Sequence, residues 1–130
     1  MALRIRNQLA AVNTPVIDQV EFLQGDDYSK VAGLGTGDLT TSVFYNNTVQ
    51  PWSLVDGTGV LDSLVVSGSI YFNEISGSSG NYSLRFRPNA GGAWRVEVSY
   101  AAGTQLVVLN YLATVLPLTE VVGLSSAFVK

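Results

Sequence analysis

The sequence predicts an all-β fold, a single antiparallel β-sandwich with an extended N-terminal arm. Apolar residues recur at every second position in several short segments, whereas no segment sustains the 3.6-residue spacing of an amphipathic helix. Glycine, serine and threonine separate these segments at intervals of about 8–12 residues, which is typical of sandwiches and barrels. With 130 residues the chain has the length of one domain and can bury its own core.

The first 37 residues are expected to form an extended, partly irregular arm, followed by the sandwich over residues 38–130. Asn13-Thr14-Pro15 and the glycine-rich stretch 33–37 interrupt this segment. Apolar and basic residues alternate at positions 3–6 as in a short strand, but nothing in the neighbouring sequence completes a β unit with it. We therefore expect the arm to dock on another chain.

Short strands are expected in the first half of the sandwich at residues 40–45, 52–55, 60–66 and 68–72. β-Branched and aromatic residues are concentrated in these segments. The dipeptide Asp56-Gly57 suits a tight turn after the second of them, because glycine accepts a positive φ.

The clearest alternation occurs in residues 82–87 and 94–100, on either side of a loop rich in proline, asparagine and glycine. Two alternating runs joined by such a loop predict an antiparallel hairpin with one buried face. Trp94 falls on the buried face, and Arg85 and Glu97 are expected to lie opposite or diagonal to each other on the solvated one.

The last part of the chain is the most apolar. Residues 105–112 are nearly continuously apolar and are expected to form a central strand buried on both faces. Residues 115–122 are interrupted by Pro117, which cannot donate to a strand ladder, and are expected to form an edge strand.

The surface is expected to be poor in charge. Charged residues make up 13% of the chain, about half of the roughly 25% that is typical of soluble domains. Free monomers normally use charged side chains to stay soluble and unassociated. The deficit indicates a surface rich in uncharged polar groups and partly covered by other chains, so we expect a homo-oligomer, with a trimer as the working hypothesis.

The composition excludes several kinds of site. The chain has no cysteine and no histidine, which excludes disulfides and thiolate metal sites and removes the usual general base near neutral pH. Seven basic residues and a formal net charge of −3 argue against nucleic acid. No apolar tract is long enough to span a membrane, and the N-terminus lacks the apolar stretch of a secretory signal, so we expect a protein made in the cytoplasm and not exported by a cleaved signal.

Three sets of residues could carry chemistry, and in each case a structural role is favoured. The glycine-rich stretch 33–37 lacks the strand before it and the helix after it that a nucleotide-binding loop requires. Asp26, Asp27 and Asp38 lack the alternating ligand pattern of a calcium loop. The remaining acids could supply the paired carboxyl groups of a glycosidase but are typical of surface positions: Asp56, Asp62, Glu74 and Glu97. We expect no catalytic residue, no metal and no cofactor.

The segment from Gly80 to Tyr100, GNYSLRFRPNAGGAWRVEVSY, resembles the last hairpin of immunoglobulin-like β-sandwich modules. In those modules a strand of the pattern G-x-Y-x-L-x-F-x-P is followed by a glycine-rich turn and W-x-V-x-V. The Cys…Trp…Cys framework of immunoglobulin domains is absent here. The resemblance implies an immunoglobulin-like or jelly-roll-like sandwich that serves as a scaffold or adhesive unit, as in bacteriophage capsid-decorating, tail and baseplate proteins.

These observations predict a structural virion protein of a bacteriophage. Our first hypothesis is a capsid decoration (cement) protein that binds the major capsid protein; the alternatives are a tail or baseplate component and a carbohydrate- or cell-surface-binding module. In every case the partners would be other virion subunits or a surface, with no nucleic acid and no membrane. The candidate contact residues are those of the arm together with one tryptophan near a loop: Leu3, Arg4, Ile5, Arg6, Leu9, Val12 and Trp52.

A chain without histidine or cysteine would have to run hydrolysis on carboxylates, a lysine, a tyrosine or a metal. We expect no turnover of glycans, esters or peptides in standard hydrolase assays. A rate that disappears when Asp56, Asp62, Glu74 or Glu97 is changed to alanine would contradict this expectation.

Overall fold

The computed structural model describes residues 2–24, 29–75, 80–100 and 105–115. Within these ranges the chain forms strands joined by short loops and two single turns of 3₁₀-helix, Thr36–Asp38 and Asp62–Leu64. The strands are β1 (Ala2–Ala11), β2 (Val16–Glu21), β3 (Leu23–Gln24), β4 (Ser29–Lys30), β5 (Leu39–Tyr45), β6 (Thr48–Gln50), β7 (Ser53–Asp56), β8 (Ser69–Glu74), β9 (Asn81–Phe86), β10 (Gly92–Tyr100) and β11 (Gln105–Thr114).

The strands form two main sheets that pack face to face. One sheet has the order β1-β11-β10-β5-β6 and the other the order β2-β9-β8-β7, while β3 and β4 form a small ribbon. Most neighbours are antiparallel, but β1 pairs with β11 and β7 pairs with β8 in parallel. The predicted β-sandwich is confirmed, and both of its sheets are mixed rather than purely antiparallel.

The strand order is that of an immunoglobulin-like sandwich. The series β2-β9-β8 reproduces the B-E-D order of one immunoglobulin sheet, and β11-β10-β5-β6 reproduces the G-F-C-C′ order of the other. The hairpin between β5 and β6 turns on Asn46 and Asn47, whose φ angles of 48° and 67° suit the two-residue turn that matches strand twist.

The predicted hairpin between residues 82–87 and 94–100 is wrong, although both runs are strands. β9 pairs with β2 and β8, whereas β10 belongs to the opposite sheet and pairs with β5 and β11. The loop between them therefore crosses from one sheet to the other. Alternation shows which face of a strand is buried, and two strands that face each other across the core show the same alternation as two neighbours in one sheet.

The expected solvated position of Arg85 is also wrong. This side chain is buried, with a relative exposure of 6%, and it donates to the carbonyl oxygens of Val60 and Gly57 at 2.6 and 2.7 Å. Its ion partner is Asp62, at 2.9 Å, and not Glu97, which pairs with Arg95. The polar atoms of the 57–62 loop accept from both terminal nitrogens of this guanidinium, whereas its buried Nε has no hydrogen-bond partner among the described residues.

The N-terminal segment differs from the expected arm. β1 forms a ten-residue parallel ladder with β11, and β2 pairs with β9 over its whole length, so the described residues 2–11 and 16–21 belong to the sandwich itself. The local sequence could not show this, because the partner of β1 lies at the far end of the chain.

The remaining predicted segments can also be compared with the structure. The strands expected at 40–45, 52–55 and 68–72 are confirmed as β5, β7 and β8, whereas residues 60–66 contain a 3₁₀ turn instead of a strand. β11 lies between two strands as expected but is buried on one face only, since its buried and more exposed residues alternate. Of the edge strand expected at 115–122, Val115 is described and lies outside a strand; residues 116–122 lie outside the described residues.

An aromatic cluster fills one end of the core. Trp94 is 2% exposed, and its ring lies 4.7 Å from that of Tyr45 and 5.1 Å from that of Trp52, measured between centroids. Trp52 also contacts Phe86 of the opposite sheet, at 6.3 Å. Trp94 on β10 also lies directly beside Tyr111 on β11. The low exposure of Trp94 confirms its predicted burial.

Replacing Trp94 by alanine is expected to cost about 3–5 kcal/mol of unfolding free energy, as large aromatic deletions in cores do. The matched control is Leu61→Ala, because this side chain is 66% exposed, and we expect the control to cost less than about 0.5 kcal/mol. Denaturant melts followed by far-UV circular dichroism measure both. A loss of well under 1 kcal/mol for Trp94→Ala would contradict the packing described here.

Candidate interaction surface

The outward face of the five-stranded sheet carries a group of apolar residues with no covering element among the described residues. We call this group, together with Arg95, the outer-sheet patch: Leu9, Phe44, Val49, Ala93, Arg95 and Leu112. Strand register places Leu9 beside Leu112 and Leu112 beside Ala93 in one row. The next row runs Asn7, Asn110, Arg95, Phe44 and Val49, so polar side chains lie between the two leucines and Phe44.

The exposure of the patch is high for apolar side chains. Leu9, Val49 and Leu112 are 80%, 62% and 51% exposed, and a shallow depression of about 530 Å³ lies between Leu9, Phe44 and Leu112. Scattered exposed leucines are ordinary on protein surfaces, whereas adjacent ones on a sheet face indicate a contact site.

The patch carries little net charge. Among the described residues that alternate onto this face from Ile5 onward, Arg95 and Glu97 are the charged ones, and their side chains pair at 2.8 Å. The guanidinium carbon of Arg95 lies 4.1 Å from the centre of the Phe44 ring, and Arg95 also donates to Asn47 Oδ1 at 3.1 Å. Arg95 is therefore held over the Phe44 ring at a distance that suits a cation–π contact.

A buried carboxylate fixes the strand that carries Leu9. Asp18 on β2 is 6% exposed, and it accepts hydrogen bonds from Gln8 Nε2 at 2.9 Å, Tyr111 Oη at 2.6 Å and its neighbour Gln19 N at 2.9 Å. Arg6 forms an ion pair with the same carboxylate. These bonds join β1 and β11 of one sheet to β2 of the other, and they satisfy a charge that would otherwise be costly to bury.

The same network explains which side of β1 faces outward. Because strand side chains alternate, the inward direction of Arg6 and Gln8 places Ile5 and Leu9 on the outer face. Burial, followed by the hydrogen bond and the negative charge of Asp18, raises the pKa of Tyr111 well above its ordinary value near 10. The phenol therefore remains a hydrogen-bond donor across the neutral range.

The structure places the candidate contact residues of the arm in different environments. Ile5 and Leu9 are exposed, at 59% and 80%. Arg6 is engaged by Asp18, and Val12 packs against the core. Leu3 and Arg4 lie in β1 beside Leu106 and Val107, and their side chains fall outside the described part of the chain. A contact role for Ile5 and Leu9 stays a prediction.

Trp52 does not have the accessibility expected of a contact residue. It is half-buried and its ring packs between Trp94 and Phe86. The patch residues Phe44, Val49 and Leu112 were missed by sequence reasoning. Alternation in β11 was the available signal for Leu112, but the nearly unbroken apolar run concealed it.

Each of the four acids considered for catalysis is bound to its own local partner. Asp56 accepts from the backbone nitrogen and hydroxyl of Thr58, at 2.9 and 2.8 Å, and the backbone bond lowers its pKa. Asp62 pairs with Arg85 and Glu97 with Arg95. Glu74 accepts from two glycine nitrogens, those of Gly33 and Gly80. Each of the four carboxylates therefore makes a structural contact of its own.

Residues 33–38 form a loop with a short 3₁₀ turn, and Gly35 N donates to Asp38 Oδ2 at 2.8 Å. The turn leads directly into β5, so no helix N-terminus faces the glycines as a phosphate site would require. Asp26 and Asp27 lie outside the described residues. Within the described ranges no three acidic side chains gather as a metal site would require, and no helix there is long and apolar enough to cross a membrane.

No protein-family model matches the sequence, and no curated protein matches it. Several solved titin domains are similar in structure. The titin M4 domain has a TM-score of 0.39 and 11% identity, with 87% of this chain and 92% of that chain covered. The titin M3 domain has a TM-score of 0.36 and 12% identity, covering 86% and 91%. In a tandem of titin Ig domains the corresponding values are 0.37 and 12%, and the match covers 84% of this chain but only 44% of that one. The immunoglobulin-like assignment rests on the strand order described above.

Tyr111→Phe is expected to lower the unfolding free energy by about 1–3 kcal/mol near neutral pH, because the buried Asp18 loses a donor. Tyrosine in the unfolded chain ionises near pH 10, whereas folded Tyr111 keeps its proton to higher pH. Wild-type stability should therefore fall above about pH 10, by up to about 1.4 kcal/mol per pH unit from this group, and the variant lacks this contribution.

The difference between wild type and Tyr111→Phe should accordingly narrow above about pH 10 in urea melts recorded from about pH 7 to pH 11. A difference that stays constant would show that Tyr111 ionises alike in the folded and unfolded chain, and one that widens would show that it ionises more readily in the folded chain.

Proposed function

We propose that this protein is a non-catalytic structural subunit that binds other protein subunits through the outer-sheet patch. More specifically, we propose a capsid decoration protein of a bacteriophage that binds the major capsid protein in the virion as a homo-oligomer. The observation that carries the proposal is a largely apolar patch on one sheet face whose charged residue is paired, with Leu9 80% exposed at its edge.

The dimensions of the face support a protein partner. The five strands contain 10, 10, 9, 7 and 3 residues, and at about 3.3 Å per residue and about 4.8 Å between strands they give a face of roughly 600 Å². This is somewhat less than the roughly 800 Å² that each partner contributes to a standard protein interface. Each leucine that becomes buried contributes about 1.5–3 kcal/mol relative to full exposure.

The position of the aromatic side chains favours protein over sugar as the ligand. Sugar-binding surfaces need exposed rings, whereas Trp94 is buried, Trp52 is half-buried and packs on it, and the ring of Phe44 lies under Arg95. The charge-poor composition, at 13% of residues, supports a subunit whose surface is covered in an assembly.

The capsid assignment is the finer part of the proposal, and it is supported by the size and composition of the chain and by the resemblance of residues 80–100 to modules found in such proteins. A decoration protein must bind a repeated lattice, which a homo-oligomer, with a trimer as our hypothesis, does by matching its symmetry to that of the lattice.

Leu112→Asp is expected to weaken binding to capsids at least about tenfold, because a charge in the centre of an apolar contact costs more than about 1.4 kcal/mol. The control is Leu61→Asp: Leu61 is 66% exposed, against 51% for Leu112, and lies outside the patch, on the loop before the Asp62–Leu64 turn. Co-sedimentation with purified capsids of the phage that encodes the chain measures both variants.

Mass spectrometry of fractionated particles provides the second measurement, and the chain is expected in the capsid fraction. Its presence in tails alone would replace the capsid assignment by the tail alternative. Equal binding of Leu112→Asp and wild type would contradict the role of the patch, and absence from all particles would contradict a virion function.

A further inference from the structure

Three side chains that can react with one another meet at one end of the four-stranded sheet. Glu21 ends β2 and Asn81 begins β9, and the two residues are directly paired across these strands. Lys30 ends β4, and its Nζ donates to Asn81 Oδ1 at 2.8 Å and lies 3.3 Å from Glu21 Oε2. An amine, a carboxamide and a carboxylate are therefore held in contact by the ends of three strands.

The main chain brings Lys30 close to the start of β9. A Cβ atom added at Gly80 would lie 2.8 Å from the Cβ of Lys30, so glycine is needed for this close approach, and its φ of 77° is one that glycine adopts readily. The residue after Lys30 is held on both sides. Val31 N donates to the Phe22 carbonyl oxygen at 2.8 Å, and the Val31 carbonyl oxygen accepts from Tyr82 Oη at 2.6 Å. The position of the lysine therefore follows from main-chain packing.

These groups are the two reactants and the base of an amide-forming reaction. An unprotonated lysine amine is a nucleophile, the carbonyl carbon of a carboxamide is an electrophile, and a neighbouring carboxylate can accept and return protons. An ordinary surface ion pair needs the lysine and the carboxylate alone and contributes little to stability. The carboxamide of Asn81, at 2.8 Å from the amine, is the additional group that gives this cluster a reaction.

We propose that Lys30 and Asn81 form an isopeptide bond within the folded chain, with Glu21 as the general base. Lys30 Nζ gives a proton to the Glu21 carboxylate, attacks Asn81 Cγ and forms the new C–N bond. The bond between Cγ and Nδ2 then breaks, and Nδ2 leaves as ammonia with a proton passed on by Glu21, while the remaining proton goes to water. The reaction consumes no oxidant and no second substrate, and the chain loses about 17 Da as one molecule of ammonia.

The reaction is expected to be slow and to occur once per chain. The side chains of Lys30 and Glu21 are 45% and 36% exposed, so both charges are partly hydrated, which slows the attack of the amine. The fold offsets this, because groups that are held in contact react as if they were present at a very high concentration. One event in the lifetime of the protein is enough, and in this respect the modification differs from the turnover of a substrate.

The bond ties the β3–β4 ribbon to the four-stranded sheet. It joins residues that are 51 positions apart in the sequence, and a covalent link over such a distance stabilises the fold by restricting the unfolded chain. The chain has no cysteine, so this link takes the place that a disulfide has in other small domains. The linked chain is therefore expected to unfold at a higher urea concentration than the unlinked chain in the same sample.

Intact-mass spectrometry of the full chain tests for the bond. Wild type is incubated in the folded state at about pH 7 and about pH 9, and unfolded in urea at about pH 9 as a control. We expect a species lighter by about 17 Da in the folded samples alone, with faster formation at the higher pH because the attacking amine must lose a proton. After chymotryptic cleavage at Tyr45, the segments that contain Lys30 and Asn81 should remain joined.

The charged and titratable groups around the amine support this pH dependence. Glu21 on β2 pairs with Lys30, and the Glu74 carboxylate on β8 is bound by two glycine nitrogens. The phenol of Tyr82 bonds to the residue after Lys30, and burial raises its pKa above the ordinary value near 10, so it keeps its proton at about pH 9. The rise in rate between the two pH values is therefore attributed to the amine.

Three variants, checked for folding by circular dichroism, assign the roles. Lys30→Arg keeps the charge beside Glu21 but has no amine, and Asn81→Ala has no electrophile, so neither should yield joined segments. Glu21→Gln should form the bond at least about 100-fold more slowly. A folded wild type that keeps its full mass after weeks at about pH 9, a mass loss without joined segments, or the same loss in Lys30→Arg, as cyclisation of Asn81 alone would give, would each overturn the proposal. An unchanged rate in Glu21→Gln would overturn the role of Glu21.

Discussion

The position of β1 depends on the carboxylate of Asp18. This carboxylate accepts from Gln8 and Tyr111 and pairs with the half-exposed Arg6, which also donates to the Gln19 carbonyl oxygen. It therefore joins β1 and β11 of one sheet to β2 of the other by polar contacts. A buried charge of this kind contributes to specificity because only one register of β1 brings both Arg6 and Gln8 to the same carboxylate.

That single register has effects on both sides of the sheet. On the inside it closes the polar network, and on the outside it places Leu9 beside Leu112. A shift of β1 by one residue would turn Leu9 toward the core and Gln8 toward solvent, and the exposed row would be lost. The interior interaction and the exterior surface are therefore two consequences of the same strand pairing.

The sequence predicted the properties that depend on short-range pattern. Period-two alternation identified the strands around Trp94 and the burial of that residue, and the glycine and proline positions located most loops. The pairing of strands could not be predicted in the same way. Residues 82–87 and 94–100 show the same alternation whether they are neighbours in one sheet or face each other across the core. The choice between the two arrangements is made by β2, which pairs with β9, and by β5, which pairs with β10, and both lie far away in the sequence.

The candidate surface was predictable to a similar extent. Ile5 was identified from its alternation with basic residues and Leu9 as a further apolar residue of the expected arm, and both are exposed. Leu112 was concealed because residues 106–112 are all apolar except Asn110, so the run shows no exposed face. Arg85 was misplaced because its burial depends on the carbonyl groups of the 57–62 loop, which no pattern within β9 can reveal.

The parallel ladder between β1 and β11 also has a consequence for the time at which the protein folds. β1 is synthesised long before its partner β11, so the five-stranded sheet cannot be completed until β11 has left the ribosome. Until then Asp18 lacks the phenol of Tyr111, and the apolar edge of β10 has no neighbour on one side. Such long-range pairing slows folding. The nascent chain thus carries exposed strand edges until synthesis has passed Thr114, and it is during this interval that chaperones would have the most surface to protect.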